Sequence, residues 1–301
     1  LFWDPVVISA CNLPCHEVAG NHAMQVFQES FLAGGWQATM GLATCDLRAL
    51  YDPAAAVLEA AGGEIRLGSR VRGIAFDGIR ANGVVTDEGL LSAAAIVSTV
   101  PPDRLAKIVS RPMEAADPRL ANLHRFEHSP ILGVHLFFKS PVLVDDARTY
   151  PHLVLAGRAT HWFFNKGRDE SGLYHVHAVI SAADDWMDLD ESTITARVLD
   201  DLHWAMPASR GLIPVEVRSV KEKRATFRVC PGIDSIRPSA RSGGLGIPNL
   251  YLAGDWCDTG WPATMEGAAR SGYAAAKAVS GVGGVIRDVP PGPLARWMGL
   301  R

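Results

Sequence analysis

Apolar and polar positions are spaced along this chain in blocks that predict helices first, then short strands, then a mixed region, then one long helix. Over residues 1–50 the apolar positions recur at helical spacing, and Val18 to Leu32 sets Met24, Phe27 and Phe31 on one face ahead of a Gly34-Gly35 break. Asp52-Pro53 offers an N-cap followed by proline in the first turn, so a helix is expected over Ala54–Ala61, ended by Gly62-Gly63. Strand-like runs follow: Glu64–Leu67, Val71–Phe76, Ile79–Thr86 after an Asp77-Gly78 turn, and Ala93–Thr99 before Val100-Pro101-Pro102. Joined by tight turns, they read as a small meander.

Residues 103–225 change texture. Pro130–Phe138, Leu173–Ser181 and Pro214–Arg224 are strand-like, and Asp190–Met206 reads as a helix capped by Asp190. The most informative pattern comes last, over Asn249–Val279. Leu250-Tyr251-Leu252-Ala253 is a buried-strand run, Gly254-Asp255 a turn, and a loop with Trp256 and Trp261 leads to Pro262 at a helix start. Within that helix Gly267, Ala268, Ser271, Gly272 and Ala275 recur at spacings of three and four, which leaves one face nearly flat and open to a rigid neighbour. The first turn of such a helix carries N–H groups without intrahelical partners and the positive end of the dipole, suited to electron-rich oxygen. Simple packing of a helix on a sheet accounts for the apolar face but not for the Gly-Asp turn ahead of it.

Composition narrows the setting. With 301 residues and 48% hydrophobic content the chain can bury a large core in two domains, or in one domain interleaved with another. A net charge of −3 with interspersed signs offers no basic stripe, so nucleic acid is not an expected partner. Five irregularly spaced cysteines fit reduced thiols and a cytoplasmic setting. The longest uncharged run, Ser30–Cys45, is too short and too broken by glycine to span a bilayer. No metal is expected: Cys11, Cys15, His16 and His22 fit no common zinc spacing, and His135, His161, His175 and His177 have no carboxylate at ligand spacing. A G-x-S-x-G elbow is absent, which removes the usual hydrolase signature.

The Asn249–Val279 stretch resembles the second flavin-binding motif of the amine oxidase and phytoene desaturase superfamily. The order of helix, Gly-Gly, strand pair, hairpin and Val-Pro-Pro over residues 54–102 is similar to that superfamily too. The resemblance implies an α/β fold with mixed α+β character: a Rossmann-like FAD-binding domain, here incomplete, with an inserted mixed-sheet substrate domain. It implies FAD as cofactor, with Gly254 and Asp255 near the ribityl–pyrophosphate region, the backbone around Thr264, Met265 and Glu266 toward the flavin pyrimidine carbonyl, and Val71 beside adenine. The expected partition is 1–50 as the helical part of the substrate domain, 51–110 as the middle FAD-binding segment, 111–225 as the substrate domain, 226–285 as the C-terminal FAD-binding segment and 286–301 as a tail. FAD proteins of this type open with a strand, a G-x-G-x-x-G turn and a helix. Gly244-Leu245-Gly246 precedes a strand and Gly281-Val282-Gly283 follows a helix, so neither supplies that turn. The expectation is therefore a chain equivalent to roughly the C-terminal two-thirds of a longer protein, unable by itself to hold FAD stoichiometrically.

Two positions separate the branches. Amine oxidases of this superfamily usually carry an aromatic residue where Thr264 stands and a lysine, water-bonded to flavin N5, where Gly133 stands. Pro262-Ala263-Thr264-Met265-Glu266-Gly267-Ala268 instead resembles the polyisoprenoid desaturase branch. The Leu1–Asn12 run, Glu29-Ser30-Phe31-Leu32 and Ser129-Pro130-Ile131 resemble the squalene-associated FAD-dependent desaturases, the hydroxysqualene dehydroxylases of hopanoid pathways. That family implies reductive removal of an allylic hydroxyl from a long apolar isoprenoid. The location it implies is cytoplasmic, either free or peripheral to the inner face of the membrane. The apolar strands of residues 130–181 would serve as cavity wall or as plain core, and Asp258 and His161 are the candidates for proton donor. Two alternatives stay open: a carotenoid-type desaturase running in the opposite redox direction, and a non-catalytic flavin-fold chain that binds lipid or a partner.

Overall fold

A computed structural model of the chain describes residues 3–33, 36, 38–143, 151–288, 290 and 292–297, with the side chains of residues 294 and 295 left out. The Gly34-Gly35 break and the Leu1-Phe2 start lie outside the described residues. Helices run over Trp3–Cys11 (α1), Gly20–Phe27 (α2), Asp52–Ala60 (α3), Pro102–Leu105 (α4), Arg111–Ala116 (α5), Glu191–Ala205 (α6), Met265–Ser280 (α7) and Pro293–Trp297 (α8). Strands run over Val71–Phe76 (β1), Ala81–Thr86 (β2), Gly89–Ser92 (β3), Ile96–Ser98 (β4), His128–Phe138 (β5), His152–Val154 (β6), Trp162–Arg168 (β7), Tyr174–Ser181 (β8), Glu216–Phe227 (β9) and Leu250–Leu252 (β10). The fold is mixed α/β and divides into two compact units.

The first unit takes Leu1–Met24, Arg125–Arg237 and Asp258–Ala268. Its centre is a five-stranded antiparallel sheet in the order β6-β7-β8-β5-β9. Alternation along the strands sends Leu132, Val134 and Leu136 of β5, Phe163 of β7, and Val176, Ala178 and Ile180 of β8 to one face, where they close a core with Ile194, Val198 and Leu202 of α6. Asp190 starts α6 as expected: its side chain accepts from the Thr193 N–H at 2.8 Å. The Ser192 hydroxyl, the Thr193 N–H and the Thr193 hydroxyl together draw its carboxyl down to about 2. Such a cap stabilises a helix by about 1 kcal/mol.

Asn12, left-handed at φ 52°, ends α1 and pins three segments. Its Nδ2 donates to the Ser129 carbonyl (3.0 Å) and Thr226 Oγ1 (2.9 Å), and its Oδ1 accepts from the Ala182 N–H (2.7 Å). The expected apolar stripe is not the buried one. Met24 of α2 and Phe31 of the π-helical segment Gln28–Leu32 that follows are exposed, and the residue that α2 withdraws from water is His22, which pairs with a carboxylate.

The second unit takes Gln25–His124, Pro238–Cys257 and Ala269–Arg301. Here the strand-like runs sort differently from the expected meander. β1-β2-β3 form the antiparallel meander, whereas β4 leaves it and pairs in parallel with β10, Ile96 opposite Leu250 and Ser98 opposite Leu252. Asn249 fixes that arrangement: Nδ2 donates to the Ala81 carbonyl (2.6 Å) and the Ala94 carbonyl (2.9 Å), and Oδ1 accepts from the Ala81 N–H (3.0 Å). The Glu64–Leu67 run forms no strand, and Asp52 lies inside α3, with Tyr51 at the cap position and no side-chain cap bond.

A buried ion pair holds the chain leading into β10. Asp117 is fully buried and accepts from Arg119 Nη2 (2.7 Å) and the Ile247 N–H (3.1 Å), while Arg119 donates onward to the carbonyls of Leu250 (2.8 Å) and Ala240 (3.0 Å). A Cβ at Gly246 would stand 2.5 Å from the Asp117 carboxyl carbon. The second glycine of Gly244-Leu245-Gly246 therefore makes room for this carboxylate.

Candidate functional site

Strand β10 delivers the chain to Gly254 at φ +134°, a backbone region closed to residues with a Cβ. The turn is locked from both sides. Its N–H donates to Ser271 Oγ of α7 at 2.7 Å, and the Cys257 N–H closes back on the Gly254 carbonyl at 3.1 Å. A Cβ here would stand 2.5 Å from Nε1 of the buried Trp256, so the indole fills the space that a side chain would need. Asp255 follows, half-buried. On α7, Ser271 and Ala275 lie one turn apart and are buried, and they form the small-residue face in this unit. Val71 opens β1, an edge strand of the meander, and pairs with Thr86.

In the first unit the loop from Asp258 to Thr264 leads into α7. Asp258 is exposed. Thr259 Oγ1 accepts from the Trp261 N–H (3.3 Å) and from Arg237 Nη2 (3.3 Å). Thr264 caps the helix: Oγ1 accepts from the Gly267 N–H (3.0 Å), and the Thr264 carbonyl accepts from the Ala268 N–H (3.0 Å). The same hydroxyl donates to the Pro262 carbonyl (3.2 Å), and Met265 and Glu266 form the exposed first turn beyond it. Gly267 is needed for close approach, since a Cβ there would meet the Pro262 carbonyl oxygen at 3.0 Å.

His161 accepts from the Ser181 N–H on Nδ1 at 3.2 Å, which places its ring proton on Nε2. Burial lowers its pKa against the pull of Asp201, so the imidazole is neutral at physiological pH.

The expected site residues thus fall in both units. Val71, Gly254 and Asp255 belong to the second, and Thr264, Met265, Glu266, Asp258 and His161 to the first.

The sequence carries no sign of a polar cluster in the first unit, in which buried His22 and Arg237 meet a carboxylate at the surface. Asp234 accepts from Asn21 Nδ2 (2.7 Å) and pairs with His22 Nε2 (3.0 Å) and Arg237 Nη1 (3.2 Å). Arg237 in turn reaches Thr259 on the loop before α7. The Asp234 pKa is lowered although its burial acts to raise it, because Asn21, His22 and Arg237 all favour the carboxylate. The partners lie 213 and 212 residues away in the chain, and no local pattern announces them. His22, named in the metal question, is spent on this carboxylate. Cys11 is buried and Cys15 exposed, and among the described residues no group of three or more His, Cys, Asp or Glu can hold a metal ion.

A family model described as flavin containing amine oxidoreductase matches residues 18–280, and the chain belongs to that family. Its relatives divide by substrate name. Hydroxysqualene dehydroxylase of Sinorhizobium fredii is 30% identical over 274 residues, covering 90% of this chain and 60% of the relative. The 15-cis-phytoene desaturase of Solanum lycopersicum is 25% identical over 236 residues, covering 74% of this chain and 39% of the relative. Among solved structures, an oxidoreductase from Methanosarcina mazei superposes with a TM-score of 0.67 at 17% identity, over 90% of this chain and 62% of that one. The likeness shows the amine oxidase fold. The chain spans about three-fifths of the length of the curated hydroxysqualene dehydroxylases that it matches.

Proposed function

We propose that this chain is the substrate-binding and C-terminal flavin-binding part of an FAD-dependent oxidoreductase that reductively removes the hydroxyl of hydroxysqualene to give squalene. The observation that carries the reading is the breadth of the match: hydroxysqualene dehydroxylases align over about nine-tenths of the chain, phytoene desaturases over less than three-quarters. FAD is the cofactor, and bound reduced FAD supplies a hydride. The local geometry fits that group. A left-handed glycine at a strand end, a carboxylate after it and a capped helix with a small-residue face let main chain approach a flat, polar ligand closely. Gly254 and Asp255 would hold the ribityl–pyrophosphate region, the backbone at Thr264, Met265 and Glu266 the pyrimidine edge, and Val71 the adenine.

The protein's own work would be to take up a long apolar chain, exclude water and let the hydroxyl depart as water. Asp258 and His161 stay candidates for handling the proton, His161 as a neutral donor on Nε2. So apolar a substrate is compatible with a cytoplasmic protein, either free or peripheral to the inner face of the membrane, and among the described residues no helix is long and apolar enough to cross a bilayer. In domain terms, residues 1–50 and 111–225 would make the substrate domain, with 51–110 and 226–285 holding FAD and 286–301 as a tail.

The test uses the protein expressed from its complete reading frame. Anaerobic incubation of the FAD-reduced enzyme with hydroxysqualene should yield squalene and oxidised flavin in equal amounts. Oxidised enzyme that instead desaturates phytoene, with no squalene formed, would move the assignment to the second reading, a phytoene-type desaturase. In the same protein Asp255→Ala should lose FAD while keeping its circular dichroism. Unchanged flavin content would remove Asp255 from the cofactor site.

A further inference from the structure

The five-stranded sheet has a second face, and it carries rings. On β5, β7 and β8 the positions between the core residues are Gly133, His135 and Phe137, Trp162 and Phe164, and His175 and His177. The rings form one continuous layer across three strands. Trp162 stacks on Phe164 (centroids 5.7 Å apart), Phe164 lies 6.4 Å from His177, His177 stacks on His135 (4.1 Å, planes 5° apart), and Phe137 stacks on His175 (4.5 Å). Gly133 allows this: a Cβ there would stand 2.9 Å from His177 Nε2, so the ring lies where a side chain of β5 would otherwise project.

His135 Nδ1 and His175 Nε2 are hydrogen-bonded at 2.9 Å. Two neutral imidazoles hold two N–H groups and two lone pairs, and this bond uses one of each. What is left, on His135 Nε2 and His175 Nδ1, is one donor and one acceptor. An alcohol needs that combination. Burial is the main cause that lowers all three imidazoles, and it takes His175 and His177 down to about 4. Lys166 acts against the charge of all three rings and Arg218 against that of His135 and His175, with only Asp169 opposing at His175. The three imidazoles themselves are uncharged at neutral pH, and the fixed charge beside them is cationic, with the Arg218 guanidinium 5.4 Å from the Phe137 ring centroid. The π faces of the layer's rings favour positive charge on carbon.

We propose that this ring layer receives the hydroxyl-bearing, allylic part of an isoprenoid alcohol, with the His135–His175 pair bonding the departing oxygen and the faces of Phe164 and His177 stabilising the carbon it leaves. The proposal rests on the dehydroxylase reading above. In the step, the C–O bond breaks and its electron pair leaves with oxygen. One outer nitrogen of the pair gives that oxygen its proton, the bridging proton crosses between the rings, and the other outer nitrogen takes a proton from solvent. Water departs and the pair carries no net charge at the end; bound reduced FAD would supply the hydride that the carbon needs, ending as oxidised FAD.

The experiment measures three things on the FAD-loaded protein from the complete reading frame: flavin content, quenching of Trp162 fluorescence by farnesol as a soluble allylic alcohol (with Trp162→Phe as blank), and single-turnover oxidation of reduced flavin by hydroxysqualene. His135→Phe and His175→Phe should keep flavin, weaken the farnesol response and slow turnover by about 100-fold or more, within the range for loss of a proton-transferring group. His135→Gln, which keeps a donor and an acceptor, should recover part of that rate, whereas a role in packing alone would favour phenylalanine over glutamine. Full-rate turnover in the His135→Phe, His175→Phe double variant overturns the proposal. A wild-type protein that does not turn over hydroxysqualene, yet shows a farnesol response that His135→Phe abolishes, overturns the dehydroxylase reading and leaves the ring layer as an alcohol-binding surface. A farnesol response unaltered in both single variants removes the surface itself.

Discussion

On one face of the five-stranded sheet Leu132, Val134, Leu136, Phe163, Val176, Ala178 and Ile180 of the three central strands are closed off from water; on the other, the neighbouring residues His135, Trp162, Phe164, His175 and His177 are half-buried rings. Phe163 and Phe164 show the contrast in a single step of chain. The first is wholly buried among Leu132, Val134 and Ala178, and the second lies between Trp162 and His177 on the open side. Strand geometry guarantees the alternation, but not what stands at each position. The closed face is stabilised by area removed from water and by close packing. The ring face leaves that stabilisation partly unrealised, which is the arrangement expected of a surface kept for a ligand.

The largest effect should therefore fall on the closed face. Phe163→Ala is expected to destabilise the protein by about 3–5 kcal/mol, from lost transfer energy and a cavity that β5, β8 and α6 cannot close. Phe164→Ala should cost about 1–2 kcal/mol, since part of that ring is already in contact with water. Urea denaturation followed by circular dichroism measures both. Equal costs would erase the distinction between the faces.

The strands of the closed face were legible in the chain as the apolar runs Pro130–Phe138 and Leu173–Ser181, within which Leu132, Val134 and Leu136 are separated by Gly133 and His135. β7 was missed, since Trp162-Phe163-Phe164 runs straight into Asn165-Lys166-Gly167 and alternation lasts too few residues to register. The histidines were visible but were asked the wrong question. Metal spacing tests ligand sets, and a layer of neutral rings has no ligand spacing. Turn and helix at Gly254–Ser280 were legible from glycine, proline and small residues, which act locally. Asn249, Asp117 and the His22–Asp234–Arg237 cluster were not, because each acts on a partner more than 100 residues away.

An intermediate effect should appear on acidification, and it separates the faces by chemistry. The ring face holds imidazoles lowered to about 4 at His175 and His177, against an unfolded value near 6.5. Between those values the unfolded chain binds more protons than the folded one, so stability rises with pH across the window and is lost as pH falls from about 6.5 toward 4. Burial is the main cause, followed by the neighbouring His135 on both rings, His175 on His177, and Lys166; at His175 Arg218 lowers further and Asp169 opposes. Thermal unfolding of wild type should show a falling midpoint over that range, and the His175→Phe, His177→Phe variant a flatter one. An identical slope in the variant would mean that the ring face does not set the acid response.

The smallest and sharpest test is Gly133→Ala. Two terms oppose each other. Gly133 has no positive φ, so alanine fits its backbone and narrows the unfolded ensemble, which stabilises by about 0.4–1 kcal/mol. Against this, the new Cβ would stand 2.9 Å from His177 Nε2, too close for the ring to stay where it is. That contact is with the far end of a side chain, so His177 can tilt away, at the expense of its 4.1 Å stack on His135. The net stability change is therefore expected to be within about 1 kcal/mol of zero. What should move is the ring layer: histidine NMR titration of Gly133→Ala should show the His177 pKa rising from about 4, as the displaced ring gains water, while the core signals from β5 and β8 stay in place. In the His177→Ala background the same substitution should show only its stabilising term, because the obstruction is gone. A large loss of stability in both backgrounds would place the obstruction in the strand backbone and not in the ring, and the two faces would then not be separable at this position.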